Sequence, residues 1–114
     1  MNPLFIMESI EESAAETETL LSILASRRRL IILCNLMASG EIPVGELMKR
    51  LDLAQSALSQ HLALMRAAGI VSTRREGTTI YYSLTDTRTK KLLTAIMTIL
   101  CPEMVPSLSK AEAA

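Results

Sequence analysis

Apolar positions recur along most of this chain at intervals of three and four residues, interrupted once by a stretch in which they alternate. Ile10, Ala14, Thr17, Leu21 and Leu24 mark a first helix with one mostly apolar seam. A seam that repeats every ~3.5 residues suits packing against a second long helix, within the subunit or across a dimer axis. Arg27 to Ser39 reads as a second helix, with Leu30, Leu33, Cys34 and Met37 on its inner stripe and Gly40 as its stop. Cys34 is therefore expected to face inward. Pro43 introduces a short third helix, Val44 to Leu51, with Val44, Leu47, Met48 and Leu51 on one side. After a turn at Asp52-Leu53-Ala54, Gln55 to Ala68 gives a fourth helix that Gly69 terminates. Two helices about three residues apart have the spacing of a helix-turn-helix.

The alternating stretch follows. Val71 to Arg75 and Thr79 to Leu84 are rich in β-branched residues and Tyr, and Glu76-Gly77-Thr78 separates them as a turn, which predicts a β-hairpin. Val71, Thr73, Ile80, Tyr82 and Leu84 alternate inward and leave Arg74 and the turn facing solvent. Thr85 is placed to cap a last helix from near Asp86, running through Leu92, Leu93, Ile96, Met97, Ile99 and Leu100 until Pro102 ends it. Its apolar face is broad for so small a domain, so part of it is expected to be buried against another subunit. The architecture expected is mainly α with a small β-hairpin wing: four helices, the hairpin, then a fifth helix, a winged helix-turn-helix. It occupies residues 10–102, with a flexible segment over 1–9 and a disordered tail over 103–114.

At 114 residues there is material for one core. Apolar residues make up 49% of the chain but include only one Phe and two Tyr among its rings, so that core is aliphatic and Met-rich. The formal net charge is zero, yet Glu8, Glu11, Glu12, Glu16 and Glu18 crowd the first 20 residues, which hold no Lys or Arg. All 12 basic residues lie beyond them, against 7 of the 12 acidic ones. Nucleic-acid binding responds to such a local basic surface and not to the sum. No basic segment precedes the short apolar stretch Leu4 to Met7, and no run approaches the ~20 apolar residues of a bilayer span, so the expected location is cytoplasmic, without a membrane partner. In that compartment Cys34 and Cys101 are reduced by default.

The fourth helix carries the most informative surface. Leu58, Leu62 and Met65 share one sector, and Ser56, Ser59, Gln60 and Ala63 share the opposite one. Short polar side chains allow close approach to a major groove, where Gln55 and Gln60 have the donor and acceptor pattern for adenine and the serines bond to bases or phosphates. A face selected only for solubility would show Lys and Glu, and this one has neither. His61 lies on the flank, as a phosphate contact or a packing residue. In the wing, Arg74 and Arg75 either reach the DNA backbone or blunt a strand edge. Within Arg27-Arg28-Arg29 the same choice stands between phosphate contact and tying the second helix to its neighbours.

The run Gln55-Ser56-Ala57-Leu58-Ser59-Gln60-His61-Leu62, with Met65 to Val71 and the wing from Arg74 to Gly77 and Ile80 to Tyr82, resembles the ArsR family of bacterial winged-helix repressors over about residues 17 to 101. The resemblance implies a homodimer built on the first and last helices that binds an imperfect inverted repeat in double-stranded operator DNA and releases it when an inducer arrives. Metal-sensing relatives carry Cys-Val-Cys at the start of the third helix, where this chain has Pro43, Val44 and Gly45, or several His on the last helix, which here offers Asp86 and no His. No metal site and no cofactor is implied.

The layout of Cys34 and Cys101 is similar to that of the persulfide-sensing branch of the family. In that branch two thiols react with reactive sulfur or an oxidant, become joined directly or through added sulfur, and the dimer loses its operator. Two departures stand out: Pro102 directly follows Cys101, and Arg27 stands where relatives often have Pro. Two other readings compete. Both cysteines are inert in a regulator that still binds DNA, or one is the nucleophile of a thiol enzyme. The enzyme reading is opposed by the absence of Cys-x-x-Cys and by the position of the sole His on the recognition helix.

Overall fold

Five helices and a small sheet make up the chain in this computed structural model, which describes residues 2–106. The order is α1 (Pro3–Leu24), α2 (Arg27–Ser39), β1 (Glu41–Pro43), α3 (Val44–Leu51), α4 (Gln55–Ala67), β2 (Val71–Glu76), β3 (Thr79–Leu84) and α5 (Thr87–Leu100), followed by a 3-10 turn over Pro102–Met104. The fold is the winged helix-turn-helix expected, with one strand more. The segment leading into α3 pairs antiparallel with β3, Ile42 opposite Tyr82, so the sheet order is β1-β3-β2 and the wing is anchored at its base. Three residues ending in proline give no alternation to read, and an edge position is where a strand tolerates Pro43.

Local chemistry accounts for the boundaries. Asn2 caps α1 by accepting the Leu4 N–H at 3.0 Å, with Pro3 in the first turn where its missing N–H costs nothing. Residues 3–9, expected as a flexible segment, are therefore helical. Ser26 caps α2, and Gly40, at φ +83°, receives the chain where that helix stops. At the end of α4, Gly69 takes φ +76° and the Ile70 N–H bonds back to the Met65 carbonyl at 2.9 Å, a Schellman stop that turns the chain into β2. Glu76 pairs with Thr79, which tightens the wing turn to Gly77-Thr78. Asp86 caps α5 in place of Thr85, its carboxylate accepting both the N–H (3.2 Å) and the hydroxyl (2.5 Å) of the buried Thr89. Thr85 instead pairs with Ser72 at 2.6 Å.

One aliphatic core joins α2, α3, α4, the sheet and α5 through Ile32, Leu33, Leu36, Leu47, Leu58, Leu62, Met65 and Leu93, all nearly inaccessible. The inner stripe of α2 is Ile32, Leu33, Leu36 and Met37, rotated from the one expected, so Leu30 and Cys34 are half-buried on its flank. Only the last part of α1 reaches this core, through Leu20, Ile23 and Leu24. Its first four turns project, giving overall dimensions of 53 × 30 × 24 Å. Among the described residues no helix is long and apolar enough to cross a membrane. Of the expected disordered tail, 103–106 continue in turn and helix, and 107–114 lie outside the described residues.

Candidate nucleic-acid interface

The pair α3 and α4 is set by the turn Asp52-Leu53-Ala54. Asp52 closes α3 in the left-handed region at φ 49°, a conformation its short side chain tolerates, and Leu53 is half-buried against the core. Ala54, at the start of α4, offers no side-chain cap, so the first-turn N–H groups of that helix are left for an outside acceptor. Leu58, Leu62 and Met65 are buried, and Gln55, Ser56, Ser59, Gln60 and Ala63 are exposed together on the far side. Their side chains form no hydrogen bonds within the chain among the described residues. An uncapped helix end and an unengaged, short polar face on the second helix of the motif match what a major groove requires.

The other expected contacts separate. His61 is half-buried and turns its Nδ1 towards Arg29, 3.5 Å from Nη1. In the wing, Arg74 is already engaged. Its Nη2 donates to Glu41 Oε1 at 2.7 Å, its Nε to Glu41 Oε2 at 3.1 Å and its Nη1 to Glu76 Oε2 at 2.8 Å, while its guanidinium lies 4.5 Å from the centre of the Tyr81 ring. That hydrogen bonding holds the Glu41 carboxyl below its usual range and stabilises the guanidinium charge. Arg75 is exposed and forms no ion pair among the described residues. Glu41 is a site residue missed in the sequence because it lies on β1, and the one available signal was its sign opposite to Arg74.

The two thiols lie on α2 and at the end of α5. Cys34 lines an apolar groove of about 610 Å³ with Leu30 and Ile31 of α2, Met97 of α5 and Met104. Burial pushes its pKa up, and Cys101 raises it further. Cys101 caps the end of α5, where Pro102 starts the 3-10 turn. That turn brings Glu103 back so that Cys101 Sγ donates to its Oε1 at 3.1 Å, and the carboxylate raises the thiol pKa. Both thiols are therefore held in the protonated form at neutral pH. Among the described residues no group of three or more His, Cys, Asp and Glu is placed to hold a metal ion.

Residues 26–73, from the α2 cap through the first half of the wing, match the model of the bacterial regulatory protein, arsR family. The chain is 43% identical over 95 residues to the transcriptional activator HlyU of Vibrio cholerae, covering 83% of this chain and 87% of the relative. The chain belongs to the arsR family. It is similar in the same measure to the biofilm growth-associated repressor of Agrobacterium fabrum, 43% identical over 95 residues, 83% of this chain and 80% of the relative. The solved structure of reduced HlyU from Vibrio cholerae superposes with a TM-score of 0.77 at 44% identity, covering 82% of this chain and 98% of that one. This arsR-family regulator is a DNA-binding winged-helix protein of transcription. Its α4 is the second helix of the helix-turn-helix motif.

Proposed function

We propose that this regulator is a dimeric repressor that grips an imperfect inverted repeat of operator DNA and lets go when Cys34 and Cys101 react with reactive sulfur or an oxidant. The observation that carries the DNA half is the exposed face of Gln55, Ser56, Ser59 and Gln60 opposite three buried apolar residues. Those four read the groove, Arg75 meets phosphate from the wing, and Arg74 chiefly holds the wing in shape. The dimer half rests on the seam of α1. Phe5, Ile10, Ala14 and Leu21 line an open groove of about 930 Å³ along that helix, with Phe5 58% and Ile10 60% exposed. Apolar surface of this extent marks an interface. A second copy covers it, and the exposed Ile99 and Leu100 at the end of α5 extend it.

The inducer half rests on the two half-buried thiols and on kinship with a regulator solved in a reduced form. One thiol takes the outer sulfur of a persulfide RSSH, giving Cys–S–SH and releasing RSH. The second thiol then attacks that sulfur pair, closing a Cys34–Cys101 disulfide and expelling hydrogen sulfide, so that atoms and electrons balance. A bond between α2 and α5 shifts the elements that position α4 and spoils the half-site spacing. The raised pKa of both thiols favours a second reading, in which they are inert and the operator is held whatever the sulfur status.

Two measurements on the full chain test this. A gel shift on DNA upstream of its own gene is expected to show a complex that a persulfide donor dissolves. Mass spectrometry of the treated protein is expected to show Cys34 and Cys101 joined within one chain. Two thiols that remain freely alkylatable refute the sensing half and leave the DNA half standing.

A further inference from the structure

Arg29 sits at a junction that neither the groove-reading face nor the thiol pair uses. Its backbone N–H is capped by Ser26 at 3.3 Å at the start of α2, and the residue is half-buried. Its Nε donates to the Ile23 carbonyl at 2.6 Å and its Nη2 to the Ser22 carbonyl at 3.5 Å. Both carbonyls belong to the last turn of α1, where no further helical N–H follows to meet them. Its remaining edge places Nη1 3.5 Å from Nδ1 of His61 on α4. A guanidinium only donates, so Nδ1 is the acceptor in this contact. From its place on α2, one planar fork thus touches two other helices, α1 and α4, at once. A lysine, with a single nitrogen, cannot span them.

We propose that Arg29 is a positioning residue for DNA binding: through His61 it fixes the recognition helix against the elbow between α1 and α2. The proposal rests on the DNA-binding reading and gives His61 a different task from phosphate contact. Its reach follows from the elements joined. α1 carries the apolar seam assigned to the partner copy, α4 carries the groove-reading face, and Arg29 is a polar link between them. The distance between the two recognition helices of a dimer is therefore set in part through this guanidinium. No other polar side-chain contact joins α1 to α4 among the described residues.

The test is a double-mutant cycle on the full chain, read as affinity for a fragment of its own upstream DNA at several salt concentrations. Arg29→Lys and His61→Leu are each expected to weaken binding on the order of tenfold, the scale of one charge-assisted hydrogen bond. The double variant is expected to bind no more weakly than Arg29→Lys alone, since that change already breaks the contact with His61. His61→Asn retains an acceptor near Nδ1 and is expected to restore most of the affinity, which a merely structural packing role would not give. The salt slope stays at its original value, because no phosphate contact is lost. Losses that multiply, unchanged affinity in His61→Leu, or a slope reduced by about one per altered side chain each overturn the proposal, the last by making His61 or Arg29 a phosphate ligand. If the unaltered chain shifts no DNA at all, the binding reading itself has failed and the proposal falls with it. His61 is only half-buried on α4, so its variants are expected to fold even if Arg29→Lys does not, and a thermal melt of each separates the cases.

Discussion

The two wing arginines are adjacent in sequence, yet the structure gives them opposite electrostatic roles, and substituting each in turn measures the difference. Arg74 lies between the carboxylates of Glu41 and Glu76, so that the trio carries a net negative charge, whereas Arg75 forms no ion pair among the described residues. A contact that neutralises one phosphate adds about 0.9 to the slope of log affinity against log salt. In a dimer Arg75→Gln removes two such contacts, so the slope is expected to fall by about 1.8. Across a fourfold rise in salt, the deficit of the variant relative to the parent then shrinks by about twelvefold, well outside the error of a fluorescence-anisotropy titration. Arg74→Gln is expected to leave the slope nearly unchanged but to weaken binding at low salt, because two carboxylates then face the duplex uncompensated. Glu41→Gln moves affinity the other way, freeing Arg74. If Arg75→Gln keeps the parental slope, the wing does not reach phosphate. If Arg74→Gln lowers it as far as Arg75→Gln does, Arg74 abandons its carboxylates on binding, and the division of labour argued from its hydrogen bonds is wrong.

Other expectations follow from burial and from the thiols. Leu58 is fully enclosed beneath the reading face, so Leu58→Ala is expected to cost about 2–5 kcal/mol in urea unfolding, while Leu64→Ala, at 44% exposure on the same helix, stays near zero; equal losses would mean that α4 is rotated from the orientation described. Glu103 raises the pKa of Cys101, so the thiolate fraction at neutral pH is depressed and alkylation of Cys101 rises only as the pH climbs into the alkaline range. Glu103→Gln removes that negative charge, lowers the pKa and moves the rate profile of Cys101 to lower pH, with iodoacetamide labelling faster at neutral pH and Cys34 little affected. An unchanged profile would show that the Cys101–Glu103 contact does not persist in solution.

Legibility in the sequence followed the strength of the local signal. The recognition helix was readable because its two faces differ in kind as well as in polarity: Leu58, Leu62 and Met65 inward, small hydroxyl and amide side chains outward, and Gly69 where a left-handed stop is needed. The wing was readable from its alternating β-branched run, and Gly77 named the turn, although the backbone pairs one residue further than that run suggested. Three features were hidden for definite reasons. β1 is too short to alternate and owes its existence to pairing with a strand some forty residues later, a tertiary effect that no local window contains. The inner stripe of α2 was misplaced because Leu30, Ile31, Ile32, Leu33, Leu36 and Met37 leave almost no polar side to fix the rotation, and sequence spacing alone chose the set containing Cys34. Position along the chain favours Thr85 as the cap of α5, yet Asp86 wins because one carboxylate satisfies both the N–H and the buried hydroxyl of Thr89, which one threonine oxygen cannot do as well.

The seam of α1 is the case in which a correct pattern needed a structure before it acquired meaning. Ile10, Ala14, Thr17 and Leu21 repeat as a helix seam should, and from spacing alone the partner was either within the subunit or outside it. Within the described residues the subunit supplies no such partner: all four are exposed, and apart from the exposed Glu16–Arg88 ion pair the packing of the helix onto the core is confined to its C-terminal end. A 22-residue helix held at one end would fray over its free turns in water, because an isolated stretch of about four turns is marginal even in favourable sequences. Its order over the first four turns is therefore expected to come from a partner, and in the proposed dimer the same association is expected to bring two copies of α4 to one side of the molecule. Dilution is then expected to lower the helix content and the DNA affinity together, with a common midpoint in protein concentration. A helix signal that survives dilution while DNA affinity falls would separate the two, and α1 would have to be stable for a reason other than its twin.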